Sequence, residues 1–362
     1  MKRILIVKMW ALGDILVATP ILTALKARFP DCKISWLVDK KYRGAVDGNP
    51  LIDEVISIDW TAWQRDFRYG NLWKYFAAGR LIRRDLQRRN FDIQISLTPD
   101  KWWGVWFNCA PIRIALFPSE KPGILGMFYT DVIIRFPGST DHHIDRNLLV
   151  MNPLGGSGDY DRRIVFGVTD EDNQVAEQFL AQHFNRHSGS RYVVFHPGTS
   201  QRTKCWPASN FASLADLVSR SLNVVITGSP AEQGLAEEIK RIAVNRESIV
   251  IAAGQLANLG QTGALVKNAA AVVTGDTSLL HISSALNIPT IAIYGSTRPN
   301  EYAPLFGSNE LLYDDTVSCA PCYKSTCSLP AEEDLLCLKR ITPQIVSKSL
   351  FSILEQNPAN VA

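Results

Sequence analysis

One segment near residue 280 constrains the fold of this chain most, because it joins two strand-like runs through a polar turn and a short helix. Apolar, β-branched residues predict strands at Ala271–Thr274 and Thr290–Tyr294, with a helix at Leu279–Leu286 between them. This order places the turn Gly275–Thr277 at the carboxyl edge of a parallel sheet, where open α/β folds bind ligands. The free N–H groups of the helix start favour an anion such as a diphosphate. In the simpler alternative, the acid or the threonine of that turn only caps the helix.

The same alternation of apolar runs and helical segments occurs twice along the chain, which predicts two doubly wound parallel sheets. In the first half we predict strands at Ile4–Lys8, Ile34–Val38, Val55–Ile58, Ile93–Leu97, Ile112–Leu116 and Val132–Phe136, with helices at Pro20–Arg28, Leu72–Asn90 and His142–Asn152. In the second half we predict further strands at Tyr192–His196, Val224–Thr227 and Ile249–Ala252, with helices at Pro207–Ser221, Ala231–Val244, Leu259–Asn268 and Thr342–Gln356.

The length of 362 residues favours two domains over a single core. We predict an N-terminal Rossmann-like domain over residues 1–170 and a C-terminal one over residues 171–341. A last helix over residues 342–362 is expected to pack back toward the N-terminal domain. Two facing domains of this kind are expected to form a cleft lined by the carboxyl ends of their strands.

The composition excludes several classes of protein. A hydrophobic content of 46% with 20% charged residues is typical of a folded globular chain. The net charge of +3 is too small to favour nucleic acid as a partner. No apolar stretch approaches the ~20 residues of a membrane span. Only four apolar residues precede Lys8 at the N-terminus, too few for a signal peptide, so we expect a cytoplasmic protein.

A candidate general base follows the first predicted strand. Gly13 permits a tight turn there, and the carboxylate of Asp14 can accept a proton from a substrate hydroxyl. The alternative is that Asp14 caps the helix after this strand. However, Thr19-Pro20 is an equally good helix start, and it predicts that Asp14 stays in the loop.

Two further strand-to-helix turns in the second half carry polar side chains suited to a nucleotide. After the strand that ends at His196, hydroxyls and a lysine offer donors for phosphate oxygens: Thr199, Ser200, Thr203 and Lys204. A solvated polar loop is the alternative. In the next turn, Glu232 can accept hydrogen bonds from ribose hydroxyls, or it can simply interact with the helix dipole.

Four of the seven cysteines cluster within nineteen positions, at Cys319, Cys322, Cys327 and Cys337. Four thiolates with one C-x-x-C pair are a plausible tetrahedral site for a structural zinc or iron ion. Reduced structural cysteines and a disulfide are the alternatives, since the spacing differs from that of zinc ribbons.

Residues 65–89 hold eight basic residues against two acidic ones, an excess of +6. The apolar residues between them predict an amphipathic helix, which could contact a membrane surface or an anionic acceptor. A merely solvated helix face is the alternative. Candidate acceptor residues are Arg65 and Arg68, together with Trp102 and Trp103. For the two tryptophans, packing in the core is the alternative.

Taken together, these motifs resemble family 9 glycosyltransferases, the bacterial heptosyltransferases of the GT-B fold. The matching stretches are Ile-Leu-Ile-Val-Lys followed by Gly-Asp-Ile-Leu, Pro-Gly-Thr followed by Lys-x-Trp-Pro, Gly-Ser-Pro-Ala-Glu, and Gly-Asp-Thr-x-x-x-His. The resemblance implies inverting, metal-independent transfer of heptose from ADP-heptose to an inner-core sugar of lipopolysaccharide. It also implies a location at the cytoplasmic face of the inner membrane, possible peripheral membrane contact and no catalytic cofactor.

The resemblance also implies a role for each matching residue. Asp14 corresponds to the general base, and Lys204, with Thr199 and Ser200, corresponds to the contacts of the donor diphosphate. Glu232 corresponds to the ribose contact. The contacts of the donor sugar and its phosphates correspond to Gly275, Asp276, Thr277 and His281. Ser278 departs from the family, which usually has glycine there, and a side chain could narrow the approach to the diphosphate or add a donor.

Three other functions stay open at this point. Some family members carry an iron-binding, cysteine-rich finger and modify proteins, so a protein acceptor is one alternative. A nucleotide-sugar epimerase of the GT-B type is a second. A non-enzymatic module that binds a nucleotide sugar and is held together by the cysteine cluster is the third.

Overall fold

Apolar strand residues form the centre of two separate sheets in the computed structural model of the chain. The structure describes residues 1–97, 106–117, 130–135, 142–156, 158–184 and 191–357. Within it the chain divides into an N-terminal unit, Met1–Gly167, and a C-terminal unit, Val168–Ala362. Each unit carries one parallel sheet of six strands with helices between the strands.

The sheet of the N-terminal unit has the strand order β3-β2-β1-β4-β5-β6. Its strands are β1 Arg3–Val7, β2 Lys33–Asp39, β3 Glu54–Ile58, β4 Ile93–Ser96, β5 Ile112–Phe117 and β6 Val132–Arg135. Its described helices are α1 Leu12–Leu16, α2 Pro20–Arg28, α3 Trp60–Arg68, α4 Leu72–Arg88 and α5 His143–Leu148.

The sheet of the C-terminal unit has the order β12-β11-β10-β7-β8-β9. Its strands are β7 Tyr192–His196, β8 Asn223–Ile226, β9 Ile249–Ile251, β10 Ala271–Gly275, β11 Thr290–Tyr294 and β12 Asn309–Tyr313. Its described helices are α6 Asp170–His183, α7 Ala208–Val218, α8 Gln233–Ile242, α9 Leu259–Lys267, α10 Ser278–Ala285, α11 Pro299–Tyr302, α12 Leu336–Lys339 and α13 Pro343–Gln356.

Both sheets therefore follow one topology, in which the first strand of the unit pairs with both its second and its fourth strand. β1 lies between β2 and β4, and β7 lies between β8 and β10. In such a sheet the chain order reverses beside the first strand, and a crevice opens there at the carboxyl ends of the strands. The segments that follow β1, β7 and β10 carry Asp14, Lys204 and Asp276, so each candidate residue follows a strand at one of these switch points.

The C-terminal helix belongs to the core of the C-terminal unit. Val346 and Leu350 of α13 are fully buried there together with residues of α7 and the sheet. Its apolar face packs on an apolar surface formed by α7 and the strands β11 and β12 of its own unit. That this helix also packs back toward the N-terminal domain stays a prediction.

Several elements differ from the sequence predictions. Helices α3, α11 and α12 and the edge strand β12 were not predicted, and Asp14 lies in the short helix α1 rather than in a loop. Most other predicted elements agree with the structure to within about three residues at each end. Within the described ranges, no helix is both long and apolar enough to cross a lipid bilayer.

Candidate active site

The loop after β7 carries the predicted diphosphate contacts and is held at both ends. β7 ends at His196, and the loop closes with a 3-10 turn at Arg202–Lys204. The indole of Trp206 is fully buried, and its N–H donates to the Ile341 carbonyl at 2.8 Å. This burial anchors the loop, so the lysine at its end has a defined position.

Lys204 and Asp276 form an ion pair at the carboxyl ends of the neighbouring strands β7 and β10. Nζ of Lys204 lies 2.6 Å from Oδ2 of Asp276, and the two side chains are only 16% and 8% exposed. The same carboxylate oxygen accepts a hydrogen bond of 2.8 Å from the hydroxyl of Thr297, which follows β11. Three adjacent strands thus contribute one charged and hydrogen-bonded cluster. The structure brings together the two residues that the sequence assigned to the leaving group and the donor.

Two glycines allow the strand ends to approach this loop closely. A Cβ atom added to Gly275 would lie 2.9 Å from the Lys204 carbonyl oxygen, and one added to Gly295 would lie 2.5 Å from the Thr203 carbonyl oxygen. Backbone atoms cannot move aside as a flexible side chain can. Only glycine therefore lets β10 and β11 end against the turn that carries Lys204.

Gly295→Ala should destabilise the C-terminal unit by about 1–3 kcal/mol, since overpacking forces the backbone apart. The matched control is Gly234→Ala, because a Cβ atom there has no neighbour within 4 Å among the described residues. At this exposed position of α8, alanine should stabilise the helix by roughly 0.5–1 kcal/mol. Urea unfolding of both variants measures the difference, and equal midpoints would contradict the close approach at Gly295.

The turn after β10 starts a helix whose cap is Thr277. Its hydroxyl accepts from the Leu279 N–H at 3.3 Å and lies 3.1 Å from the hydroxyl of Thr274. The capping alternative therefore applies to Thr277, whereas the Asp276 carboxylate is engaged with Lys204. Ser278 is the first residue of α10 and is half-buried, and His281 is buried within the same helix.

Glu232 has a structural partner in addition to its predicted role. Its Oε2 accepts from the backbone N–H of Ser229 at 2.7 Å and from the hydroxyl at 2.8 Å, which completes a capping box. A Cβ atom on Gly198 would overlap Oε1, so the carboxylate lies against the loop after β7. Burial lowers the pKa of nearby His196, and the charge of Glu232 opposes that shift.

Of the three predicted hydroxyl donors of the loop, Thr199 and Ser200 differ in their hydrogen bonding. The Thr199 hydroxyl donates to the Gln201 carbonyl at 2.7 Å, within its own loop. Ser200 is exposed. Of these two hydroxyls, that of Thr199 has to give up a bond before it could contact a phosphate.

The cysteine-rich segment, residues 319–337, contacts the loop after β7 through hydrogen bonds and an ion pair. Arg202 forms a bidentate ion pair with Asp334, with distances of 2.8 and 2.5 Å. The hydroxyl of Thr203 donates to the Lys324 carbonyl, and the Tyr323 N–H donates to the Ser296 carbonyl at 2.8 Å. The segment thus contacts both sides of the turn that positions Lys204.

The prediction of a metal ion at the four cysteines is not supported. All seven cysteines of the chain are free, and no group of three or more His, Cys, Asp or Glu side chains in the described residues could hold a metal ion. Cys327 and Cys337 pack against the apolar core, where they act as small hydrophobic side chains. Burial raises the pKa of Cys337, and the neighbouring cysteines add to that shift.

In the N-terminal unit, Asp14 faces a buried lysine. Its Oδ2 lies 3.5 Å from Nζ of Lys8, the residue directly after β1, and the two side chains are 40% and 9% exposed. Asp14 makes no cap for α1, so the capping alternative is wrong. The carboxylate is thus paired with a buried ammonium while its own side chain stays partly exposed to solvent.

His143 of α5 lies within electrostatic range of this carboxylate. Burial, with a smaller contribution from Arg146, lowers the pKa of His143 to about 4, and Asp14 opposes the shift. The imidazole is therefore neutral near pH 7. The positive charge next to Asp14 comes from Lys8 instead.

A cavity of about 950 Å³ lies in the N-terminal unit beside the loop after β1. It combines cations with aromatic rings, and the Trp10 and Trp60 rings lie 5.6 Å apart. Its lining comprises Trp10, Asp39, Lys41, Tyr42, Trp60, Thr61, Gln64, Arg65, Phe67, Arg68 and Tyr69. The predicted acceptor residues Arg65 and Arg68 thus line one cavity, whereas Trp102 and Trp103 lie outside the described residues.

Comparison with known proteins agrees with the motifs. The sequence model of glycosyltransferase family 9 (heptosyltransferase) matches residues 80–332. The chain belongs to glycosyltransferase family 9. It is therefore a glycosyltransferase, and the resemblance read from the sequence is confirmed. Lipopolysaccharide heptosyltransferase 1 of Pseudomonas aeruginosa is 27% identical over 97% of this chain and 98% of its own length.

Solved structures of the family share the fold. A family 9 glycosyltransferase from Veillonella parvula matches 98% of both chains with a TM-score of 0.82 at 22% identity. The ADP-heptose lipopolysaccharide heptosyltransferase II of Escherichia coli matches with a TM-score of 0.75 at 20% identity, over 98% of this chain and 99% of that one. The predicted α/β fold of the GT-B class is confirmed.

Sequence reasoning missed several residues around the candidate site. Lys8 and Thr297 are the partners of Asp14 and Asp276, and Trp10, Lys41 and Tyr42 line the cavity. Thr297 could have been found, because it follows a strand that neighbours β10. The cavity residues come from different loops, and no sequence spacing marks them as a group.

Proposed function

We propose that this glycosyltransferase transfers heptose from ADP-heptose to an inner-core sugar of lipopolysaccharide, with inversion at the anomeric carbon and without a catalytic metal. The observation that carries the proposal is the end-to-end match to a lipopolysaccharide heptosyltransferase. The predicted donor contacts also lie at the ends of adjacent strands, which supports a single donor site. The reaction is proposed to take place at the cytoplasmic face of the inner membrane.

On the donor side, the leaving group is ADP, which departs with the electron pair of the broken C–O bond. Lys204 supplies a compact positive charge for the diphosphate, and the N-terminus of α10 supplies backbone N–H groups. Thr199 and Ser200 add hydroxyl donors, while Glu232 holds the ribose. Asp276, Thr277, Ser278 and His281 contact the donor sugar and its phosphates. These charges take the place that a metal ion would have beside the diphosphate.

On the acceptor side, the oxygen of the acceptor hydroxyl forms the new bond to the anomeric carbon. Asp14 takes the proton that this hydroxyl loses. The cavity of the N-terminal unit can hold the acceptor near this carboxylate, because Trp10 lies in the turn between β1 and α1, the helix that carries Asp14. Arg65 and Arg68 favour an acceptor with negative charges, and the tryptophan rings can pack against sugar faces.

Nucleotide selectivity tests this function directly. At equal concentration, ADP should raise the melting temperature more than UDP or GDP, because a ligand stabilises the folded state in proportion to its occupancy. ADP-heptose with a purified core acceptor should then yield a product one heptose heavier, detected by mass spectrometry.

Three outcomes would contradict the proposal. A stronger response to UDP or GDP would exclude ADP-heptose as the donor. Conversion of the nucleotide sugar without any acceptor would favour an epimerase. Donor binding with no turnover on lipid or protein acceptors would favour a binding module.

A further inference from the structure

Lys8 is a buried lysine whose backbone is fixed on both sides. It is 7% exposed and directly follows β1. Its N–H donates to the Leu37 carbonyl at 3.2 Å, and its carbonyl accepts from the buried indole N–H of Trp36 at 3.3 Å. The carbonyl of the preceding Val7 accepts from the Leu97 N–H at 3.0 Å. Strand β2 and the residue after β4 therefore fix the point from which the Lys8 side chain starts.

The ammonium of Lys8 depends on one carboxylate. Nζ lies 3.5 Å from Oδ2 of Asp14, and the lysine side chain is only 9% exposed. Among the ion pairs formed by the described residues, this is the one in which Lys8 takes part. A buried ammonium without a partner is strongly unfavourable. The Asp14 carboxylate is therefore held more firmly than the carboxylate of an exposed pair.

Asp14 itself lies on a short element. It belongs to the five-residue helix α1, which follows Ala11 at a φ of 63° and has no side-chain cap. The Asp14 side chain is 40% exposed, and such a carboxylate can adopt several rotamers. Contact with Nζ selects the rotamers that keep Oδ2 against Lys8. This selection also fixes the direction of the second carboxylate oxygen, Oδ1.

The imidazole of His143 does not supply this attraction. Burial lowers the pKa of His143 to about 4, and the charges of Arg146 and Lys8 act in the same direction. Near pH 7 the imidazole is neutral and carries no net charge that could hold the carboxylate. The charge that restrains Asp14 is therefore that of Lys8.

We propose that Lys8 is a positioning residue for the general base: it holds Oδ2 of Asp14, so that Oδ1 takes the proton of the acceptor hydroxyl. This assignment rests on the proposed function of Asp14. In the step, the O–H bond of the acceptor breaks, its oxygen bonds to the anomeric carbon, and ADP leaves with the electron pair of the old C–O bond. Lys8 keeps its protons throughout.

The orientation of Asp14 matters because a base must lie within hydrogen-bond reach of the proton that it takes. A misplacement of ~1 Å can lower the rate by about 10²-fold. Lys8→Met should therefore lower kcat for heptose transfer by roughly 10–100-fold. The KM for ADP-heptose and the affinity for ADP should stay near the wild-type values, since the proposed donor contacts lie in the C-terminal unit. Lys8→Arg keeps a cation beside Oδ2 and should be severalfold faster than Lys8→Met.

A double-mutant cycle separates positioning of the base from a general effect on the structure. In the Asp14→Asn background no base remains to be positioned, so Lys8→Met should lower transfer by less than about twofold further. A purely structural contribution would lower transfer by the same factor in both backgrounds. Initial rates of the four proteins, measured by mass spectrometry of the product, complete the cycle. If Lys8→Met does not fold, Lys8→Gln takes its place, because its amide can still hydrogen-bond at this site.

Lys26→Met is the matched control. Lys26 of α2 is a half-buried lysine that pairs with Asp53 at 3.2 Å in the same unit. Asp53 also accepts from the N–H of Ile34 near the start of β2, so this pair lies at the amino edge of the sheet, away from Asp14. The variant loses an ion pair of the N-terminal unit but should keep the wild-type kcat.

Three results would overturn the role of Lys8. They are a wild-type kcat in Lys8→Met, an equal loss in both backgrounds of the cycle, and an equal loss in Lys26→Met. Each of these leaves the effect of Asp14→Asn in place. Failure of the proposed function looks different, because the wild type would then form no heptosylated product or Asp14→Asn would transfer at the wild-type rate. Either of those two results would overturn the role of Lys8 as well.

Discussion

Replacing Asp14 with asparagine should lower the rate of heptose transfer by about 10²–10⁴-fold, the usual contribution of a general base. The amide keeps the shape of the side chain but cannot take the acceptor proton. ADP affinity should stay near the wild-type value, because the proposed donor contacts lie in the C-terminal unit. Initial rates with ADP-heptose and calorimetric titration with ADP measure the two effects separately.

Asp31→Asn is the matched control, since Asp31 is an exposed carboxylate of the same unit. It should transfer heptose at the wild-type rate. Asp14→Glu keeps the charge but moves it, so we expect partial activity. If Asp14→Asn loses ADP affinity or melting temperature together with activity, the carboxylate is structural. If it keeps activity, another group is the base.

Lys204→Met should lower transfer by about 10²–10³-fold and also weaken ADP binding, because the cation beside the leaving diphosphate is lost. The variant should also be less stable by about 3–5 kcal/mol, since breaking a buried ion pair leaves an unpaired charge. The Asp276 carboxylate would keep Thr297 as its remaining partner among the described residues. Transfer assays and urea unfolding measure these losses.

A second substitution separates the two roles of Lys204. In the Lys204→Met, Asp276→Asn variant the buried charge is gone, so much of the stability should return while transfer stays low. Lys267→Met, at an exposed position of the same unit, should change neither quantity. Recovery of transfer in the double variant would contradict a direct role for the lysine in catalysis.

The doubly wound topology could be predicted because most strands are continuous apolar runs. The predicted and observed bounds of β7 and β11 are identical. Strand β12 was missed because its polar residues Asn309 and Glu310 weaken the pattern at a sheet edge. Helix α3 was missed because its tryptophans pack on one another, with the Trp60 and Trp63 rings 5.2 Å apart, rather than forming an aliphatic stripe.

The site could be predicted in part, by one physical rule. Lys204 and Asp276 are far apart in sequence but follow strands that become neighbours, so the carboxyl-edge rule places them together. The direct ion pair could not be predicted, because it depends on the close approach that Gly275 and Gly295 allow. For the cysteines, spacing was misleading: two of the four pack against the core, and spacing carries no information about burial.

The contact between Lys204 and Asp276 also has a consequence for the release of the product nucleotide. When a nucleotide binds, the Lys204 ammonium exchanges its contact with the Asp276 carboxylate for a contact with phosphate. The net gain in binding free energy is therefore smaller than for a lysine that has no carboxylate partner. Under the proposed function, Asp276 competes with the spent nucleotide and recaptures the lysine. Such competition shortens the residence time of ADP and limits inhibition by accumulated product.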